Sequence, residues 1–499
     1  TMPWPPSRAR SRRAFSSSRF ARSEIIDQPY YYTYYCNYQG NPNWFSERMG
    51  HTIVNLLAAD AYEKGINPAP NYKTNAGGAH SGLLYGYYGL HPEWYAYDPN
   101  SKYANSHGRS QWEICYSNGL TEDGNYDEDA ENSLIDKMIE ICQRMILDER
   151  NDGSRVIMLG HGDDGSKCHC DKCERFYEKF GTFGGVTCVW ANAIVGKVKE
   201  WMKQNDINKN VKFVIFAYNI SRPAPVVSDG KGGWTPVNEK VVLDEDIGIQ
   251  MAYRVCNYHS IWDEKCEHNQ ELREQFSQWV TIAKWVEIWD YQSCFRHYLW
   301  YLPNLQTLKD NYQYYMTINV NRVLSQGAPG EGRYYMYDLN QWLCLQLMWN
   351  PDQDVKALIK HFNLRYFGEK YSLYANLFID MFENHFAILD EEYENGFHAT
   401  TDTSLGFHDS EHYSYELLNG IINMLKKGLA ELESDQTLTQ SQKDDLRMRF
   451  AKVMVTPQYM MLQLGYIVDS NEKKQFATEF FENIELAGCK YMYEGDSLG

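Results

Sequence analysis

Arg155-Val156-Ile157-Met158-Leu159-Gly160-His161-Gly162-Asp163-Asp164-Gly165 is the stretch on which the reading of this 499-residue chain turns. Four consecutive apolar residues bounded by glycine read as a strand buried on both faces, the pattern of a parallel sheet covered by helices. Two adjacent carboxylates then follow at its carboxyl end. Working outward, further strands are expected at 30–36, near 79–85, and at 110–116, 211–218, 247–254, 286–291 and 322–326. Helical periodicity fills the intervals. Residues 132–147 repeat Leu134, Ile135, Met138, Ile139, Ile141, Met145 and Ile146 on one face, and 187–202 and 271–285 behave alike. Eight strands alternating with helical crossovers predict an α/β fold, a (β/α)8 TIM-type barrel over 26–350.

Beyond Asn350-Pro351 the strand signal stops. Residues 415–432 place Leu417, Leu418, Ile421, Ile422, Leu425, Leu429 and Leu432 at helical spacing, and Ser441 is a candidate cap for the next helix. An all-α C-terminal domain is expected over 351–499. The Pro- and Gly-rich residues 219–240 read as a rim loop after the fifth strand. Residues 1–25 read as a basic, poorly ordered leader.

Composition narrows the function. The net charge is −18, and Arg8, Arg10, Arg12, Arg13, Arg19 and Arg22 sit in the leader, so the rest carries −24. An acidic body excludes a phosphate-backbone partner such as nucleic acid. No apolar run reaches the roughly 18 residues of a membrane span. No apolar segment of signal-peptide type follows the early arginines. Aromatic residues make up 15% of the chain, led by 39 Tyr and 14 Trp. Such rings offer a flat apolar face with a polar edge, a surface suited to sugars.

In a barrel, chemistry sits at the carboxyl ends of the strands. The Asp163–Asp164 pair occupies that place. Two neighbouring carboxylates in a partly dry cleft cannot both ionise freely, so one serves as an acid while the other stays charged. That division suits glycoside hydrolysis. In its substrate-assisted form one carboxylate orients a 2-acetamido group, whose carbonyl oxygen is the nucleophile, and the other protonates the leaving oxygen. The same Gly-Asp-Asp-Gly string is also good turn chemistry. Glu331, on a Gly-rich loop, and Asp338, at the start of the last barrel helix, are further candidate acids, with surface charge and first-turn charge as their plain alternatives. His80, Asn118, Tyr218, Trp289, Asp290 and Tyr291 are candidate sugar-binding residues, whereas Phe295, Tyr298, Trp300 and Tyr301 read mainly as packing.

Cys168-x-Cys170-x-x-Cys173, with Cys115 as a candidate fourth ligand, has the spacing of a structural zinc site; disulfides and free thiols are the alternatives. Cys256 and Cys266 flank the loop after strand six, either paired or simply buried. No cofactor is expected for catalysis.

The ordered motifs Gly78-Ala79-His80, His91-Pro92-Glu93-Trp94-Tyr95, Cys115-Tyr116-Ser117-Asn118, Asp163 ahead of Cys168-His169-Cys170-Asp171-Lys172-Cys173, Ala217-Tyr218, Cys256 with Cys266 and Asn269, Ile288-Trp289-Asp290-Tyr291, Pro303-Asn304-Leu305, Gln326-Gly327 and Leu347-Met348-Trp349-Asn350-Pro351 carry a resemblance. Over about residues 75–375 the chain resembles glycoside hydrolase family 163, formerly domain of unknown function 4838. The resemblance implies a (β/α)8 barrel endo-β-N-acetylglucosaminidase that cuts the GlcNAc-β-1,4-GlcNAc core of N-glycans on glycoproteins, exported by or displayed on gut bacteria. Two positions depart from the family: Gly162 stands where an amide or acid is usual, and Asp164 where Asn is frequent. The alternatives are an α-glucuronidase or exo-hexosaminidase on the same barrel, a non-catalytic glycan-binding protein, and a zinc-dependent hydrolase using the cysteine cluster.

Overall fold

Strand Ser154–Leu159 shows how the sheet is built. Val156 and Met158 turn to one face and join Val214, Phe216 and Trp285 in a small apolar cluster; Ile157 and Leu159 turn to the other and join the main core. Alternation with a period of two makes this division unavoidable, and both faces being covered is why the run is apolar throughout. These observations come from a computed structural model, which describes residues 32–33, 57, 60, 61, 64, 85–102, 104–148, 154–162, 165–253, 256–327, 335–393, 396–399 and 410–493.

Six described strands form one parallel sheet. They are β1 (Tyr32–Thr33), β4 (Ser154–Leu159), β5 (Asn210–Ala217), β8 (Ile247–Ala252), β9 (Val286–Tyr291) and β10 (Val320–Gln326), in the spatial order β1-β10-β9-β8-β5-β4. Each strand from β4 to β10 lies beside its successor in this sheet, and the last pairs in parallel with the first through Tyr32 opposite Arg322. Val156 of β4 and Leu324 of β10 line one small cavity together with Val214, Gln250 and Glu287. Four inter-strand steps of about 4.8 Å separate those two strands along the sheet, so the sheet curls on this face. Inside the curl Glu287 accepts from Gln250 (3.0 Å) and pairs with Arg322 (3.1 Å), which satisfies an otherwise costly buried acid.

The helices of this part of the chain are α1 (Leu134–Leu147), α2 (Asp171–Phe180), α3 (Phe183–Gln204), α4 (Glu267–Ile282), α5 (Leu308–Thr317) and, after the last strand, α6 (Tyr337–Trp349). Side-chain caps set their starts. Ser133 accepts the Asp136 amide while the Asp136 carboxylate accepts the Ser133 amide, so α1 begins at Leu134. Thr182 caps α3, which therefore starts four residues before the expected 187.

Three expectations need correction. The third strand, β3 (Arg109–Ile114), pairs antiparallel with β2 (Tyr95–Tyr97) and stands outside the parallel sheet; a short hairpin connection leaves no room for the crossover that a parallel neighbour requires. Of the expected second strand, residues 79–84 lie outside the described residues, and Tyr85–Tyr88 is a helical turn. The expected rim loop at 219–240 contains a hairpin, β6 (Val226–Ser228) with β7 (Trp234–Pro236), and Trp234 Nε1 donates to Ser277 on α4. Asp229 accepts the Lys231 and Gly233 amides and so turns the hairpin.

After β10 the described chain is helical: α6, α7 (Val355–Glu392), α8 (Tyr415–Ser434), α9 (Gln440–Gln463) and α10 (Ser470–Ala487). Thr439, not Ser441, caps α9, in a reciprocal box with Gln442. Gly368 breaks α7 with φ 78° and ψ 167°. Tyr301 stacks on Phe382 (centroids 4.3 Å apart), and His297 shares a hydrogen bond with the Tyr459 hydroxyl (2.8 Å). Phe295, Tyr298, Trp300 and Tyr301 are buried in one continuous apolar core with these helices. No described helix is long and apolar enough to cross a membrane.

Candidate active site and cysteine cluster

The carboxyl end of β4 is built by a neighbour 49 residues upstream. Glu113, at the end of β3 and 1% exposed, accepts the Gly162 amide on Oε2 (2.9 Å) and the Ile114 amide on Oε1 (2.9 Å). Gly162 is forced to be glycine here, because a Cβ would run into the Trp112 carbonyl oxygen. His161 is equally buried. Its Nδ1 lies 2.7 Å from the Gly162 carbonyl oxygen, and its Nε2 meets the Ser221 hydroxyl (2.8 Å) and the Tyr218 carbonyl oxygen (3.1 Å). Phe183 and Phe216 pack edge-on against the imidazole, and Tyr218 stacks on it at 16°.

Asp163, Asp164, Glu331 and His80 lie outside the described residues. In sequence, the two aspartates follow Gly162 directly, and Glu331 follows the end of β10. Other candidates sit at strand ends. Tyr218 directly follows β5, half-buried beside His161. Trp289 Nε1 donates to Gln326 Oε1 (2.5 Å), joining the ends of β9 and β10, and Tyr291 lies 6.4 Å from the Trp289 ring at 30°. Trp289 also reaches the Phe216 ring at 6.2 Å.

Three sequence candidates are engaged elsewhere. Trp289 packs with the inner cluster, so the next residue, Asp290, turns to the opposite face. There it is 5% exposed, accepts from Gln292 (2.8 Å), and meets the Tyr253 hydroxyl, itself bonded to Tyr315 of α5. Burial pushes its carboxyl up to about 7. Asn118 Oδ1 accepts the Leu134 amide (2.8 Å) and so helps begin α1. Asp338 pairs with Lys452 (2.6 Å) and accepts from Tyr366 (2.6 Å), which ties α6 to α7 and α9. Glu113, His161 and Gln326 hold these strand ends through hydrogen bonds; of the three, only His161 lies in the Gly-rich stretch 160–165 that the sequence singles out.

Cys115, two residues after Glu113, meets the cysteines that follow the Asp163–Asp164 segment. Its Sγ lies 3.8 Å from Cys170 and 3.7 Å from Cys173, and the four sulfurs of Cys115, Cys168, Cys170 and Cys173 are all within 4.8 Å of one another. A tetrahedral zinc with Zn–S near 2.3 Å sets sulfurs about 3.7–3.8 Å apart, so this donor set fits the ion; a disulfide needs about 2.05 Å. The Tyr97 amide donates to Cys168 (3.3 Å), and Ser117 accepts from Cys173 (3.1 Å). Hydrogen bonds from Cys115, Cys168 and Cys173 hold the Cys170 thiol well below its ordinary range. The stretch from Gly162 to Cys168 is thus tethered at both ends by β3 and its extension, through Glu113 and Cys115.

Among solved structures the chain is similar to a GH138 enzyme targeting pectin rhamnogalacturonan II, at 10% identity and a TM-score of 0.36, covering 72% of this chain and 47% of that one. It is similar to a family GH115 4-O-methyl-alpha-glucuronidase with specificity for decorated arabinogalactans (10% identity, TM-score 0.37, 70% and 43%) and to CpGH84B (12%, 0.29, 76% and 61%). The chain spans less than two thirds of the length of each. No curated protein matches it. Residues 45–380, more than half of the chain, match the family described as "Domain of unknown function (DUF4838)", and the chain belongs to that family.

Proposed function

We propose that the chain is a glycoside hydrolase, an endo-β-N-acetylglucosaminidase that cleaves the GlcNAc-β-1,4-GlcNAc core of N-glycans on glycoproteins by a substrate-assisted retaining mechanism. The observation that carries the reading is the tether of Gly162 to buried Glu113 at the carboxyl end of β4, immediately before the two adjacent aspartates. A rigid entry to that segment is what a reaction with an internal nucleophile needs, because most of its acceleration comes from holding reacting atoms in place. The sheet is read as an arc of a (β/α)8 barrel, with the helices after residue 351 as a separate domain.

In this mechanism Asp163 orients and polarises the 2-acetamido group. Its carbonyl oxygen attacks the anomeric carbon as the bond to the leaving oxygen breaks. Asp164, or Glu331 from the loop after β10, gives its proton to that oxygen and later takes one from the water that opens the oxazoline. Tyr218, Trp289 and Tyr291 supply faces and edges for stacking and hydrogen bonding to the sugar. Glu113 and His161 act as positioning residues. The cysteine cluster is read as a structural zinc site that fixes the far end of the same loop. The protein is read as exported.

Mass spectrometry of glycans released from a complex-type glycoprotein tests the proposal. Products ending in one GlcNAc, with one GlcNAc left on Asn, support it. Absence of release together with activity on a uronide transfers the assignment to an α-glucuronidase.

A further inference from the structure

A second group of side chains with the chemistry of metal ligands lies beyond the end of β8. Cys256 and His259 come from the loop after β8, Cys266 from the position just before α4, and His398 from residues 396–399 after α7. His259 Nδ1 and His398 Nδ1 each lie 3.4 Å from Cys256 Sγ, Cys266 Sγ lies 3.9 Å from His398 Nδ1, and all four donor atoms are within 4.8 Å of one another. With Zn–S near 2.3 Å and Zn–N near 2.0–2.1 Å, a tetrahedral ion sets sulfur and nitrogen about 3.5 Å apart.

The surroundings are those of a ligand shell. His259 turns its other nitrogen to Asp390 Oδ1 (3.0 Å), which fixes the tautomer that leaves Nδ1 free to ligate. Asp390 in turn accepts the Phe397 amide (2.8 Å), so the same carboxylate orients one ligand and anchors the segment that carries another. The His259 amide points at Cys256 Sγ (3.5 Å). Asn269 donates to the carbonyls of Cys256, His259 and Ser260, which locks the loop between the first two ligands. The Asn257 amide donates to Ala399 (2.6 Å), so the two chain segments are paired by backbone as well. Cys256 and Cys266 are buried, and two sulfurs with two imidazoles in a tetrahedral arrangement select zinc among common divalent ions.

We infer that Cys256, His259, Cys266 and His398 bind a second structural zinc ion, which staples the β8–α4 loop to the segment that follows α7. The ion links ligands up to 142 residues apart and holds the C-terminal helices to the sheet's rim. It does so whether or not the chain is a glycosidase.

The full-length protein, purified without chelator, should contain two zinc ions by elemental mass spectrometry. His398→Ala and Cys266→Ser should each lose one, and Cys173→Ser should lose the other independently. On cobalt(II) substitution, His398→Ala should remove one of two sets of thiolate-to-metal charge-transfer bands. A wild-type protein whose zinc content is unchanged in both His398→Ala and Cys266→Ser overturns the inference, as does a Cys256–Cys266 disulfide in non-reduced peptide maps. If the variants do not fold, the wild type still decides. Alkylation of Cys256 and Cys266 should rise at least tenfold after a zinc chelator is added, and an unchanged rate refutes the site.

Discussion

The Gly162 amide donates to Oε2 of Glu113 across 2.9 Å, and neither residue can be exchanged freely. Gly162 has no room for a side chain, and Glu113 is buried with both oxygens in use. Glu113→Gln should therefore lower kcat by about 10²-fold, the scale expected for misplacing catalytic groups by roughly an ångström, with KM little changed. Asp164→Asn should cost roughly 10²–10⁴-fold in kcat through lost proton transfer, and Asp163→Asn about 10²-fold through lost orientation of the acetamide. Initial rates on a complex-type glycoprotein measure both. An unaltered kcat in Glu113→Gln would remove it from the positioning role.

Cysteine 173 offers a test with a structural readout. Cys173→Ser, or a chelator added to the wild type, should release zinc from the four-cysteine cluster and lower Tm, because the ion's binding energy contributes to folding. Zinc analysis paired with a thermal melt checks this. If Cys173→Ser holds as much zinc as the wild type and melts at the same Tm, the four thiols hold no ion.

Asp290 predicts a pH dependence with a definite sign. Burial raises its carboxyl from 3.8 to about 7, so between those values the folded protein keeps a proton that the unfolded chain has lost. Stability then falls as pH rises from about 4 to about 7, by at most about 4 kcal/mol at 1.36 kcal/mol per unit. Asp290→Asn should flatten that slope and stabilise the protein near neutrality. Urea melts at pH 4.5 and 7.5 make the comparison; equal slopes in both proteins would contradict it.

Trp300 is buried at 1% exposure, with Tyr413 and Tyr459 edge-on against it. Trp300→Ala should destabilise by about 3–5 kcal/mol, as large-to-small changes in a close-packed core do. Equilibrium denaturation measures it. A loss under 1 kcal/mol would mean that the contact between sheet and C-terminal helices is carried elsewhere.

What the sequence could disclose depended on how far apart the partners are. The run 156–159 reads as a two-faced strand because every residue in it is apolar, and it forms β4. Three cysteines within six residues announce themselves, and Cys115 joins them as expected from its place at the end of a strand. Glu113 gives no such signal: its partner is 49 residues away, and it stands on a hairpin that composition alone reads as a parallel strand. His398 is hidden for the same reason, since it lies 142 residues from Cys256. Asp290 lies one step of alternation from Trp289 and so sits on the opposite face of β9, buried against Tyr253 and Gln292, a division that a run of mixed residue types does not announce. Asn118 and Asp338 are polar residues consumed by a helix start and an ion pair.

Gly368 sits in the middle of a 38-residue helical stretch at a backbone conformation reserved for glycine, with open space where a Cβ would stand. An unbroken rod of that length would run about 57 Å at 1.5 Å per residue. The joint divides it into two struts that answer to different neighbours: Phe362 leans on Trp342, and Phe382 on Tyr301. The bend thus depends on a backbone conformation that a residue with a Cβ adopts only under strain, although space for the side chain itself is open.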